Sequence, residues 1–229
     1  MDFNVNNLSV LNIGGVDIWF TETIRNVWIV MLVLIVFSVI VRMKLSKFSD
    51  VPSGLQNFVE LIVETFEGFV KNSAGEKLSY LASWFFMVFT FILISNLSGL
   101  IGLRPPTADW TVTGTLAFVT FLLIEILGFR YRKGAYIKGL FEPYFFFFPL
   151  NIIGELARPI SLSFRLFGCI LSGMLLISMF YTLTPRYVQF FLPVALHAFF
   201  DVFYAILQAY IFCVLSLTFI GNMAATETE

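Results

Sequence analysis

A chain of 229 residues that is 59% hydrophobic and only 13% charged, with 29 phenylalanines and a mean hydropathy of +0.88, is excluded from the water-soluble domains. It reads as an integral membrane protein. A net charge of −1 with no clustered cationic surface also rules against a nucleic-acid partner.

Residues 1–23 carry Asp2, Asp17 and Glu22 but no lysine or arginine, which argues against the cationic start of a cleavable signal peptide and places the segment outside. Gly14-Gly15 and the surrounding asparagines predict irregular structure, with Ile18, Trp19 and Phe20 touching the interface. The apolar run 27–41 and its flanks supply the ~20 residues that a bilayer core demands, giving a first span over 24–43. Over 51–73 the pattern changes. Leu55, Phe58, Val59, Ile62, Phe66, Phe69 and Val70 recur at helical spacing, with Gln56, Glu60, Glu64, Glu67 and Lys71 between them. This predicts an amphipathic helix lying on the membrane, although the same pattern suits a helix packed on a soluble partner.

A second span over 79–103 contains Ser95-Asn96-Leu97-Ser98-Gly99, polar enough to face protein or water. A proline-rich turn with Asp109 leads to the third span, 113–130, in which Glu125 is read as a partner for Arg130. A basic connection and the aromatic, proline-flanked stretch 142–149 approach the fourth span, 147–182. After a turn at Thr184-Pro185, a fifth span runs over 190–221 and a short tail over 222–229. The expected fold is therefore an all-α membrane protein, one membrane domain over 1–229. It has five transmembrane helices and one amphipathic surface helix, the last two spans long and tilted as a hairpin. Cys169 and Cys213 lie in apolar stretches without metal-ligand spacing and read as small packing residues, so neither metal nor cofactor is expected.

The positive charges orient this arrangement. Arg42, Lys44, Lys47, Lys71 and Lys77 lie in the first connection and Arg130, Arg132, Lys133, Lys138 and Arg158 in the third. The other side holds only Arg25, Arg104 and Arg186. The amino terminus is thus outside and the carboxyl terminus cytoplasmic. No fixed-period repeat occurs.

Two constellations stand out. Arg165 lies inside the fourth span, where a charge costs roughly 2.5–3.5 kcal/mol on translocon scales, and an arginine cannot shed its proton to escape that cost. Arg158, Ser161, Cys169 and Ser172 share its face, bordered by Gly168 and Gly173, so little bulk keeps another helix away. In the fifth span His197, Asp201, Tyr204 and Gln208 recur at four, three and four residues, which sets them along one α-helical face. A line of titratable and hydrogen-bonding groups in a membrane helix suits a wet proton path, with Asp201 the group that exchanges protons.

Arg165-Leu166-Phe167-Gly168, preceded by Arg158-Pro159-Ile160-Ser161, together with Leu207-Gln208-Ala209-Tyr210-Ile211-Phe212, resembles the hallmark stretches of F-type ATP synthase subunit a. Pro106-Thr107-Ala108-Asp109 and the Ser95-to-Gly99 stretch resemble the same family, and the similarity is nearly full length. The chain departs from the pattern at Cys169, where asparagine is usual, and at Met174, where the family often has an acid or histidine. The resemblance implies a stator subunit in the cell membrane that works with a c-subunit rotor ring, a b-type peripheral stalk subunit and the remaining ATP synthase subunits. It also implies two aqueous half-channels with Arg165 standing between them. Asp201, His197, Gln208, Asn96 and Asp109 are assigned to the outer half-channel, Glu155 and Ser161 to the inner one. No Gly-x-x-x-x-Gly-Lys-Ser/Thr loop occurs, so ATP chemistry is expected in partners and no active site in this chain. The competing reading, a secondary transporter or channel with its own substrate site, predicts internal duplication with matching broken helices.

Overall fold

Each apolar run becomes a helix long enough to cross a bilayer: Glu22–Lys44, Glu76–Ile101, Trp110–Tyr131, Phe148–Leu183 and Leu192–Met223. These come from a computed structural model that describes residues 7–13, 16–45, 54–132, 145–185 and 192–225. Most of the basic connection (133–144), the turn residues 186–191 and the tail residues 226–229 lie outside the described residues.

The helices are α1 (Glu22–Leu45), α2 (Leu55–Ala74), α3 (Ala82–Leu97), α4 (Trp110–Arg132), α5 (Phe148–Leu183), α6 (Leu192–His197) and α7 (Tyr204–Ala225). Tight 3₁₀ turns, Glu76–Leu81 and Ser98–Ile101, extend α3 at both ends. Helix α1 opens on Glu22 and closes on Arg42 and Lys44, charges that complement its dipole. Helix α2 stops at Gly75, whose φ of 92° no β-carbon-bearing residue adopts easily and whose N–H bonds the Lys71 carbonyl at 2.9 Å.

Helix α7 is the axis of the bundle. Its Cys213, Leu217, Ile220 and Met223 pack with Val70 and Ala74 of α2, Phe85 of α3 and Ile124 and Leu127 of α4. Farther along, Ala209 and Phe212 join Val88, Ile92, Ala117, Leu162 and Leu166. Helix α1 is peripheral: Trp28, Leu32, Ile35 and Phe37 are all exposed, a surface suited to lipid tails. Helix α2 buries Val70 and Ala74 near its carboxyl end and exposes Phe58, Leu61 and Ile62, as suits a helix docked on the bundle at one end and lying on the membrane at the other.

Helix α2 meets α7 at Gly221, where a β-carbon would lie 2.8 Å from the Ser73 carbonyl oxygen and 3.1 Å from the Ala74 α-carbon. Backbone atoms cannot swing aside as a side chain does. Gly221→Val is expected to destabilise the subunit by about 1–3 kcal/mol, seen as a lower melting temperature in detergent. An unchanged melting temperature would mean that α2 slides freely on α7.

Helices α5 and α7 run antiparallel, for Tyr181 meets His197, Gly173 meets Phe200 and Arg158 lies over the Phe219 ring. The 36 residues of α5 span about 54 Å at 1.5 Å each, against a bilayer core of about 30 Å, so α5 must incline steeply.

Two details differ from the sequence reading. Residues expected to be irregular form an antiparallel hairpin, β1 (Asn7–Ile13) and β2 (Val16–Thr21), with Ile13 opposite Val16 and Val10 opposite Trp19. Only Gly14-Gly15 separates the strands, and such a dipeptide is a signature of two-residue hairpin loops. The last span is not one continuous α-helix: between α6 and α7 the chain widens into a π-helical turn, Ala198–Phe203.

Candidate functional site

The site begins with a loop that is pinned from two sides. After α3, Gly102 takes a left-handed conformation (φ 77°) and Pro105 leads into a short turn, Pro106–Ala108. Thr107 and Asn96 are both buried, and the Thr107 hydroxyl donates to Asn96 Oδ1 at 2.5 Å. From α1, Asn26 Nδ2 donates to the Arg104 carbonyl at 2.9 Å and the Thr23 hydroxyl to Asp109 Oδ2 at 3.1 Å. Asp109 Oδ1 accepts the Thr111 N–H at 3.0 Å and so caps α4. Each of these bonds adds about 1 kcal/mol net, and together they fix the loop on α1 and α3. Asn96 and Asp109 thus hold the loop, while Asn96 Nδ2 is left buried without a hydrogen-bond partner.

Beside this loop lies a cavity of about 230 Å³ lined by Glu22, Gly99, Gly102, Leu103, Arg104, Pro105, Met174, Ile177, His197 and Asp201. At about 30 Å³ per molecule it holds several waters, and its polar walls give them partners. His197 Nδ1 lies 2.5 Å from Asp201 Oδ2, and the Tyr181 hydroxyl lies 3.3 Å from His197 Nε2. These contacts form a continuous path from Tyr181 through the imidazole to the carboxylate. The Asp201 side chain is 16% exposed, so its titrating group meets the cavity from a largely buried position. Gly99 makes room for it, since a β-carbon there would lie 3.4 Å from Pro105 Cγ and 3.8 Å from the Asp201 carboxylate. Met174, where the resemblance led one to look for a titratable group, lines this same cavity.

The π-turn determines what else joins Asp201. It carries one residue more than an α-turn, so counting at four, three and four residues across it overstates the alignment by about 100°. Tyr204 stacks on Phe200 with ring centroids 5.8 Å apart. Gln208 is buried one turn and more beyond, beside the Ala209–Phe212 cluster, and does not line the cavity. The cavity residues that spacing did not single out include Glu22 at the start of α1, Arg104 in the loop after α3 and Met174 within α5.

A different surface carries Arg165. Its side chain is exposed, and among the described residues it forms no hydrogen bond and no ion pair. One turn before it Ser161 is exposed, and one turn after it a β-carbon on Gly168 would touch nothing within 4 Å. Gly173 behaves otherwise: the ring of Phe200 fills its space at 3.4 Å, so this glycine serves the packing of the chain's own last span. Arg158, by contrast with Arg165, is engaged. It pairs with Glu155 at 2.6 Å and sits 5.2 Å from the centre of the Phe219 ring.

Comparison with known proteins finds relatives over most of the chain. Residues 24–221 match the family model described as ATP synthase A chain. The chain is similar to the ATP synthase subunit a of Moorella thermoacetica, 33% identical over 222 residues that cover 96% of this chain and 97% of the relative. That of Trichlorobacter lovleyi is 35% identical over 201 residues, 84% of this chain and 83% of the relative. That of Acidothermus cellulolyticus is 37% identical over 186 residues, 78% of this chain and 68% of the relative.

Proposed function

The chain belongs to the ATP synthase A chain family, a multi-pass membrane component of the ATP synthase, and from that premise we propose that it is the stator half of a rotary proton motor. The observation that carries the reading is Arg165: a permanent cation on an open helix face, with no acceptor among the described residues. A charge placed at such cost calls for a carboxylate from another subunit, and its fork of donors suits one. In this reading the partner is a ring of c subunits whose carboxylates pass Arg165 one at a time. A b-type peripheral stalk holds the stator still, and ATP chemistry belongs to other subunits, this chain having no active site of its own.

The positive-inside count supports an amino terminus outside and a carboxyl terminus in the cytoplasm. The cavity at the Glu22, Leu103 and His197 ends then opens outward and forms the outer half-channel. Protons reach a rotor carboxylate by way of His197 and Asp201, with Gln208 carrying the path deeper and Asn96 and Asp109 holding its wall. The inner half-channel runs along Glu155 and Ser161. Arg165 separates the two, so a proton crosses by riding the ring, and each crossing delivers about 2.3 kcal/mol per 100 mV to rotation.

The test is proximity. A cysteine at Ser161, on the open face one turn from Arg165, is expected to form a disulfide with a cysteine beside the rotor carboxylate in the assembled complex. Cross-linking at exposed α1 positions but never at Ser161 would sink the reading.

A further inference from the structure

Arg104 lies in the wall of the outer cavity, where its charge serves neither the fold nor the path described so far. Its backbone is held: the carbonyl accepts from buried Asn26, and Gly102 and Pro105 shape the chain on either side. Its guanidinium is not matched. Nε and Nη1 are buried and meet no hydrogen-bond acceptor, and Arg104 enters no ion pair among the described residues.

Every acid near it has another partner. Glu22, in the same wall, is bonded to Arg25 at 3.1 Å, and Asp201 to His197 at 2.5 Å. Asp109 is taken by Thr23 and the Thr111 N–H. The cavity therefore contains two carboxylates, which attract any small cation, and one arginine whose charge nothing at contact distance among the described residues cancels. Fixed charges lining a confined, low-dielectric space set local ion concentrations by factors of roughly ten or more. An arginine in a pore wall raises a barrier to cations, protons included.

We propose that Arg104 is a specificity-determining residue of the outer half-channel, keeping monovalent metal cations such as sodium away from Asp201. The same charge opposes protons, but they bind imidazole and carboxylate with association constants of about 10⁴–10⁶ per molar, which offsets the barrier, whereas sodium gains nothing comparable from a single carboxylate. This inference rests on the stator reading. It adds that the loading path is made proton-selective by this subunit, whatever selectivity the rotor contributes.

The experiment uses the complete ATP synthase in liposomes, with the outer face of the membrane sector toward the lumen. The lumen is loaded with ~100 mM of either sodium chloride or choline chloride, and ATP synthesis is driven by an imposed proton gradient. The wild type is expected to run equally fast in both. Arg104→Gln should match it in choline and slow roughly threefold or more in sodium, whereas Arg104→Lys, which keeps the charge, should be indifferent to sodium. Equal rates for Arg104→Gln in the two salts overturn the proposal.

Should Arg104→Gln fail to assemble, Arg104→His takes its place, because imidazole is charged near pH 5.5 and neutral near pH 8. Sodium inhibition appearing only at the higher lumen pH supports the proposal, and inhibition at neither pH overturns it. Failure of the glutamine, lysine and histidine forms alike to assemble also overturns it, since Arg104 is then a structural residue. A wild-type complex that makes no ATP in either salt strikes at the stator reading itself, an outcome separate from any difference between salts.

Discussion

Arg165→Ala is expected to abolish ATP-driven proton pumping while the complex still assembles, and to open a passive proton leak between the half-channels. The exposed guanidinium has no partner among the described residues, so its removal breaks no contact among the described helices. What disappears is its pull on an arriving carboxylate. A unit charge about 4 Å away at an effective dielectric near 20 is worth about 4 kcal/mol, roughly a thousandfold in that carboxylate's protonation equilibrium. Without it the rotor acid keeps its proton through the interface, and nothing repels a proton crossing directly. Arg165→Lys should fail as well, because an ammonium in a dry setting can discharge and lacks the planar fork. Both are read by pumping and passive leak in membranes with matched subunit levels. Near-normal pumping by either variant would reduce Arg165 to an anchor.

The next largest loss is expected from Asp201→Asn. The amide fills the same space over Gly99 and can still bond His197 Nδ1, so assembly should survive. It can neither accept nor release a proton in the working range, and proton-driven ATP synthesis should fall on the order of tenfold to a hundredfold. His197→Ala should cost less, since cavity water can reach the carboxylate directly once the imidazole is gone. A greater loss from His197→Ala than from Asp201→Asn would reverse the order of the two groups along the path. Wild-type synthesis in Asp201→Asn would remove Asp201 from it.

Much of the fold was legible because membrane spans obey one rule, an apolar run of sufficient length, and all five runs became helices. Helix α2 was legible for the same kind of reason: its apolar residues repeat at a helix period with acids between them. Arg165 announced itself as a charge where charges are expensive. Lost from view were features that depend on backbone departures. The hairpin was hidden because Gly14-Gly15 was weighed as a breaker, although a Gly-Gly pair between two apolar runs is equally a hairpin signal in a sequence. The Asp201 environment was only half visible: the four-residue step from His197 held, but the longer step to Gln208 did not share its surface, since periodicity does not reveal a π-turn. Arg104 and Glu22 were out of reach for another reason. Each sits at a helix end far from His197 in sequence, and only the packing of α1, α3 and the last span brings them to one cavity.

The π-turn at Ala198–Phe203 carries a consequence for how this helix tolerates change in chain length. A side-chain substitution within it alters one group. Deleting a single residue would restore plain α-winding and leave Ala205, Ala209 and Phe212 on their buried contacts, because the π-turn absorbs the one residue it carries beyond an α-turn. Deleting two would exhaust that slack and turn everything beyond by about 100°. The last span thus holds one residue in reserve: the segment between His197 and Gln208 can shorten by one with the buried core beyond it still in phase, but not by two.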